Sequence, residues 1–150
     1  MAETGGGARP VGDLEDRLIL TDAGTGLAAA LDRLEGHCRS GGFSTEAVLD
    51  LRLVAEEVLT NIAKYAFVGP PGPVELRISI HGGSTALEFR DGGRAFDPLS
   101  QPPPDLEGPA QTRAPGGMGL LLVRTVVDEA SYRREGGTNV LRVVKHRCRP

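Results

Sequence analysis

The chain has 150 residues, enough for one domain with one proper core. Apolar residues make up 39% and charged residues 25%, the balance of an ordinary globular protein, and the net charge of −3 offers no basic face for nucleic acid. No apolar run reaches membrane-spanning length and Met1 to Pro10 lacks the apolar stretch of a signal peptide, so the expectation is a cytoplasmic protein with no membrane partner.

Residues 1–12 are rich in glycine and alanine and read as a disordered N-terminus, which leaves 13–150 as a single domain. Leu14 to Thr21 reads as a strand with Leu18 and Leu20 on one face. Asp22 is placed to cap a helix that carries Leu27, Ala30, Leu31 and Leu34, and Gly41-Gly42 ends that unit. A longer helix starts near Ser44 or Thr45 and runs to about Ala66. Its buried stripe is Val48, Leu51, Ala55, Val58, Leu59 and Ile62. The prolines and glycines of Val68 to Pro73 stop it.

The period then changes from helical to alternating. Val74, Leu76, Ile78 and Ile80 define the inner face of one strand, and Thr85, Leu87 and Phe89 that of the next. His81-Gly82-Gly83-Ser84 turns between them. Phe96 to Pro115 is a long proline-rich loop, with Phe96 itself expected in the core. Gly119 to Asp128 is apolar enough for a buried helix. Ser131 to Glu135 and Thr138 to Lys145, joined at Gly136-Gly137, close the chain with a second hairpin. Because most strands arrive in hairpins, the expected architecture is α+β: a two-layer sandwich of a mainly antiparallel mixed sheet with helices on one face.

Cys38 and Cys148 fit no metal-ligand spacing, and a reduced, structurally incidental state suits a cytoplasmic chain. His37, His81 and His146 are scattered without companion ligands. Two tyrosines, four phenylalanines and no tryptophan argue against stacking platforms for bases.

Three short segments carry chemistry. In Glu56-Glu57-Val58-Leu59-Thr60-Asn61, Glu57 and Asn61 lie one above the other on a helix, with Asp50 and Lys64 near the same line. Taken alone, this is a solvated polar stripe. Yet Asn is a mediocre interior helix residue, its amide oxygen suits a hard cation such as Mg²⁺, and Glu57 one turn away could accept a proton from an attacking hydroxyl. Glu56 is the weaker candidate. Asp91-Gly92-Gly93 ends a strand without a tight hairpin after it. A carboxylate there can accept from an exocyclic amine while the glycines let a flat ring approach. Gly116-Gly117-Met118-Gly119 precedes an apolar helix and could offer backbone N–H groups to phosphates, act as a hinge, or do both. It is neither a Walker A loop, since no Lys-Ser/Thr follows, nor a dinucleotide fingerprint, since Leu122 stands where glycine is needed. Arg113 could reach a phosphate or be a plain surface charge.

In this order and spacing, the segments resemble the GHKL (Bergerat-fold) ATPase superfamily, and within it the small anti-sigma-factor protein-serine kinases of bacterial partner-switching systems. The resemblance spans Leu14 to Lys145 and is strongest over Asp91 to Pro98, Gly116 to Leu122, Val127-Asp128-Glu129 and Tyr132 to Asn139. It implies ATP and Mg²⁺ as cofactors, with Asn61 as metal ligand and Glu57 as catalytic base. It also implies Asp91 and Gly93 at the adenine, Gly117 and Gly119 at the phosphates, Gly116 as hinge of an ATP lid over Leu99 to Pro115, and Thr138 in support of the adenine site. Tyr65 stands where relatives often carry His, and Arg94-Ala95-Phe96 replaces a common Gly-Ile ending. The chain is too short for the dimerisation and phosphoacceptor helices of a complete histidine kinase.

The resemblance implies phosphorylation of a Ser or Thr on a small anti-sigma-factor antagonist (STAS type), sequestration of a sigma factor, and compatibility with a homodimer. The alternative is a non-catalytic module that binds nucleotide or protein and regulates by complex formation only. Retention of both Glu57 and Asn61 favours the enzyme.

Overall fold

The computed structural model describes residues 13–100 and 123–146. The expected disordered N-terminus, most of the proline-rich loop, Arg113, the cluster Gly116, Gly117 and Gly119, and Cys148 lie outside the described residues.

Five strands and two long helices make up the described fold: β1 (Leu14–Leu20), α1 (Leu27–Ser40), α2 (Thr45–Asn61), β2 (Val74–His81), β3 (Ser84–Asp91), β4 (Glu129–Glu135) and β5 (Thr138–His146). A π-helical turn (Ile62–Ala66) extends α2, and a short 3₁₀ turn (Pro98–Ser100) follows β3. Residues 123–126 are helical. The sheet order is β1-β2-β3-β5-β4 and every neighbouring pair is antiparallel. The α+β sandwich expected from the hairpins is therefore the fold observed.

Local chemistry accounts for the elements. Ser44 opens α2 by accepting a hydrogen bond from Ala47 N at 3.1 Å, satisfying one of the donors a helix start leaves free. The six-residue apolar stripe expected on this helix is buried throughout. At the β2–β3 turn, Gly82 and Gly83 have φ of 58° and 84°, the pair of left-handed conformations a tight hairpin twist requires. Asp22, expected as a helix cap, does not cap α1. Its carboxylate accepts instead from Gly24 N at 2.8 Å, closing a local turn, and the helix starts only at Leu27 behind Gly26.

The core lies between the helices and one face of the sheet. Leu34 of α1, Leu51 and Leu59 of α2, Leu76 and Ile78 of β2, and Leu87 of β3 are fully buried there. Cys38 joins this cluster as a free thiol, and burial pushes its pKa up to about 11, so it is inert rather than nucleophilic. The opposite sheet face carries ion pairs such as Arg77–Glu75 (2.6 Å) and Arg90–Glu88 (2.7 Å), which keep that face wet and contribute little each.

Candidate functional site

The long helix delivers Asn61 to the edge of the core. From there the backbone widens into the π-turn, an irregularity that often accompanies functional sites. Asn61 Nδ2 donates to the Glu57 carbonyl oxygen at 2.7 Å, so the amide nitrogen is tied back onto the helix and the carboxamide oxygen is left for another partner. Glu57 is half-buried one turn earlier.

The second strand of the hairpin, β3, brings Asp91 to the same place. Asp91 is only 7% exposed at the end of β3, and its Oδ1 accepts from Gly93 N at 2.9 Å. Gly93 sits hard against the π-turn. A Cβ there would fall 2.4 Å from the Ala66 carbonyl oxygen, whereas one on Gly92 would meet nothing within 4 Å. Arg94 N donates to that same Ala66 oxygen at 2.9 Å. A glycine is thus required at 93, where loop and helix end touch backbone to backbone.

Between these elements lies a cavity of about 170 Å³. Apolar side chains including Val58, Ile62, Phe89 and Leu141 wall it, and Asn61 and Asp91 supply polar groups in the same lining. A mostly apolar hollow with a few placed polar groups is what a small-molecule site requires. Glu57 and Gly93 are not part of this lining; Gly93 stands behind Asp91, and Glu57 lies one turn back along α2.

Both tyrosines and two of the four phenylalanines line the cavity: Tyr65, Tyr132, Phe89 and Phe96. The low aromatic content hides this convergence. Phe96, expected in the core, is 39% exposed and lines the cavity instead. The backbone after Gly93 is not a strand, so alternation does not send this ring inward. Asp97 instead folds the chain by accepting from Leu99 N at 2.8 Å.

Thr138 does not line the cavity, but its neighbour Asn139 does. Asn139 is 6% exposed and pairs in register with Asp91 across β3 and β5. Sequence reasoning passed over it, although the alternation Asn139, Leu141, Val143 puts a polar residue on the core face, which is itself a signal. Its Nδ2 donates to Asp91 Oδ1 (3.1 Å) and to the Arg94 carbonyl oxygen (2.8 Å). Its Oδ1 accepts from Arg134 Nη1 (2.9 Å), Phe96 N (3.4 Å) and the Tyr132 hydroxyl. Arg134 also donates to the Gly93 carbonyl oxygen at 2.9 Å.

An antiparallel sheet covered on one face by helices, with a cavity between sheet and helix end, is the arrangement of a Bergerat-type ATPase domain. The chain belongs to the histidine kinase-like ATPase domain family, whose model matches residues 21–145. It is 33% identical over 132 residues to the serine/threonine-protein kinase BtrW of Bordetella bronchiseptica, covering 87% of this chain and 93% of that one. Against the serine-protein kinase RsbW of Listeria monocytogenes the identity is 30% over 113 residues, covering 72% of each. Among solved structures, the RsbU and RsbW domains of a Mycobacterium tuberculosis protein match with a TM-score of 0.63 at 15% identity, over 90% of this chain and 33% of that one. A blue-light activated histidine kinase of Erythrobacter litoralis matches with a TM-score of 0.54 at 22% identity, over 80% of this chain and 39% of that one. This chain thus spans about a third of the first of these structures, and both likenesses speak to fold alone.

Proposed function

We propose that the protein is an ATP-dependent protein-serine/threonine kinase that phosphorylates a STAS-type anti-sigma-factor antagonist and, in its alternative complex, holds a sigma factor. The observation that carries the reading is that Asn61 and Asp91, from a helix and a strand end far apart in sequence, line one apolar cavity. The kinase names of the two relatives and the family match support it.

Asp91, with Gly93 behind it, accepts from the exocyclic amine of adenine, and the apolar walls exclude water from the ring. Asn61 fits a hard cation: its amide nitrogen is engaged by the Glu57 carbonyl and its oxygen is left to ligate. Mg²⁺, when bound, supplies charge neutralisation at the phosphates. Among the described residues no cluster of three His, Cys, Asp or Glu could hold a metal, so Asn61 would share the ion with the substrate's own phosphates and water. Gly116, Gly117 and Gly119 would offer backbone N–H groups to those phosphates, and Thr138 would steady the adenine side through the strand it begins. Glu57 takes the proton from the acceptor Ser or Thr hydroxyl as its oxygen bonds to the γ-phosphorus. The bond from that phosphorus to the bridging oxygen breaks, and ADP leaves.

No helix among the described residues is long and apolar enough to cross a membrane. The reading assigns the protein to the bacterial cytoplasm, where both kinds of partner would meet it. A second reading, a module that sequesters its partner without turnover, draws on the absence of Glu57 from the cavity lining. Incubation of the purified protein with γ-labelled ATP, Mg²⁺ and STAS-type proteins of the source cell separates the two. Label on a Ser or Thr of the partner is expected; a stable complex that never acquires label would establish the second reading.

A further inference from the structure

The amide of Asn139 is spent entirely on the protein. Both of its N–H bonds are donated, to Asp91 Oδ1 and to the Arg94 carbonyl, so neither remains for a ligand. Its orientation is forced as well. Reversing the amide would set its NH₂ against Arg134 and the Phe96 N–H, two groups that can only donate.

This fixed donor acts on Asp91. Asp91 Oδ1 accepts from Gly93 N at 2.9 Å and Asn139 Nδ2 at 3.1 Å, which occupies both of its lone-pair directions. Among the described residues Asp91 Oδ2 takes no hydrogen bond, while the Asp91 side chain lines the cavity. Two bonds on one oxygen hold the carboxylate plane and leave the other oxygen as a pure acceptor. A ring that brings an amine to that oxygen gains a charge-assisted hydrogen bond. One that brings a carbonyl oxygen meets lone pairs and leaves a buried acceptor unpaired.

Resting on the adenine reading of this cavity, we propose that Asn139 is a positioning residue for base selection: by locking Asp91 it makes the site prefer 6-aminopurine over 6-oxopurine nucleotides without touching the base. Asn139→Asp keeps the shape and the acceptor side but replaces the donor facing Asp91 with a second carboxylate oxygen. Asn139→Ala removes the lock with less electrostatic cost and serves if the first variant does not fold.

The test is calorimetric binding of adenosine and inosine triphosphates to the full-length wild type and both variants, each at a temperature where circular dichroism shows it folded. The wild type is expected to favour ATP. In the variants ATP affinity falls by about tenfold or more while inosine triphosphate affinity holds, so the ratio collapses. An unchanged ratio overturns the proposal, and so does an equal loss for both nucleotides, which would mark Asn139 as structural only. A wild type that binds neither nucleotide would instead defeat the nucleotide reading of the cavity itself.

Discussion

At the scale of single residues, the proposed chemistry draws on what Asn61 and Glu57 leave unspent. Asn61 commits its nitrogen to the Glu57 carbonyl and keeps its oxygen. Asn61→Ala is therefore expected to weaken nucleotide binding on the order of tenfold when Mg²⁺ is present and little when it is chelated. Paired titrations with and without EDTA check this, and equal losses in both would remove Asn61 from the metal. Glu57→Ala should leave ATP affinity near wild type and slow phosphotransfer by about 10²–10⁴-fold, the usual worth of a general base. Single-turnover transfer to the unphosphorylated partner reads it, and undiminished transfer would reassign the base.

At the scale of elements, the seam between the end of α2 and the loop after β3 is the joint that brings the two halves of the site together. The π-turn presents the Ala66 carbonyl oxygen to Arg94 N, and Gly93 passes the same oxygen too closely for any side chain. Gly93→Ala is expected to force the seam apart, at a cost of about 1–3 kcal/mol, and to lower nucleotide affinity with it. Gly92→Ala, one residue away with open space around its Cβ position, should cost far less. Urea unfolding of the two variants side by side decides the matter; equal stabilities would mean that the loop relaxes freely and that the close approach matters little.

At the scale of the whole molecule, the edge strand is tied to the helical layer by Asp16, which faces α1. Its carboxylate accepts from His37 Nε2 (2.7 Å), Arg33 Nε (2.7 Å) and Arg33 Nη2 (2.8 Å). Burial pushes the Asp16 pKa up, but the bonds from His37, Arg33 and the Arg17 backbone outweigh it and hold the pKa below its ordinary value. A carboxylate whose pKa is lower folded than unfolded stabilises the fold above its unfolded pKa of about 3.9, and that contribution disappears as pH falls through the folded value. Asp16→Asn should therefore be less stable than wild type near neutrality and converge with it in acid. Urea midpoints measured from pH 7 down to pH 3 test this, and a gap that stays constant with pH would show that the ionised form contributes nothing.

Much of this molecule is written in local periodicity. The stripe of α2, the alternation of β2 and β3 and the Gly-Gly turns each follow from backbone geometry within a few residues. They could be read directly, and with them the two-layer sandwich and the positions of Asn61 and Asp91. Other features depend on distances between segments remote in sequence. The cap expected of Asp22 gave way to a local turn, and Phe96 left the core for the cavity because no strand carries it inward. The insertion of β5 between β3 and β4 set Asn139, rather than Thr138, opposite Asp91. The amino-acid order alone determined the elements and the chemistry available to them. The tertiary structure decided which backbone atoms touch and which polar groups face one another, because a carboxylate or an amide acquires its role only from the partners that folding brings within hydrogen-bond reach.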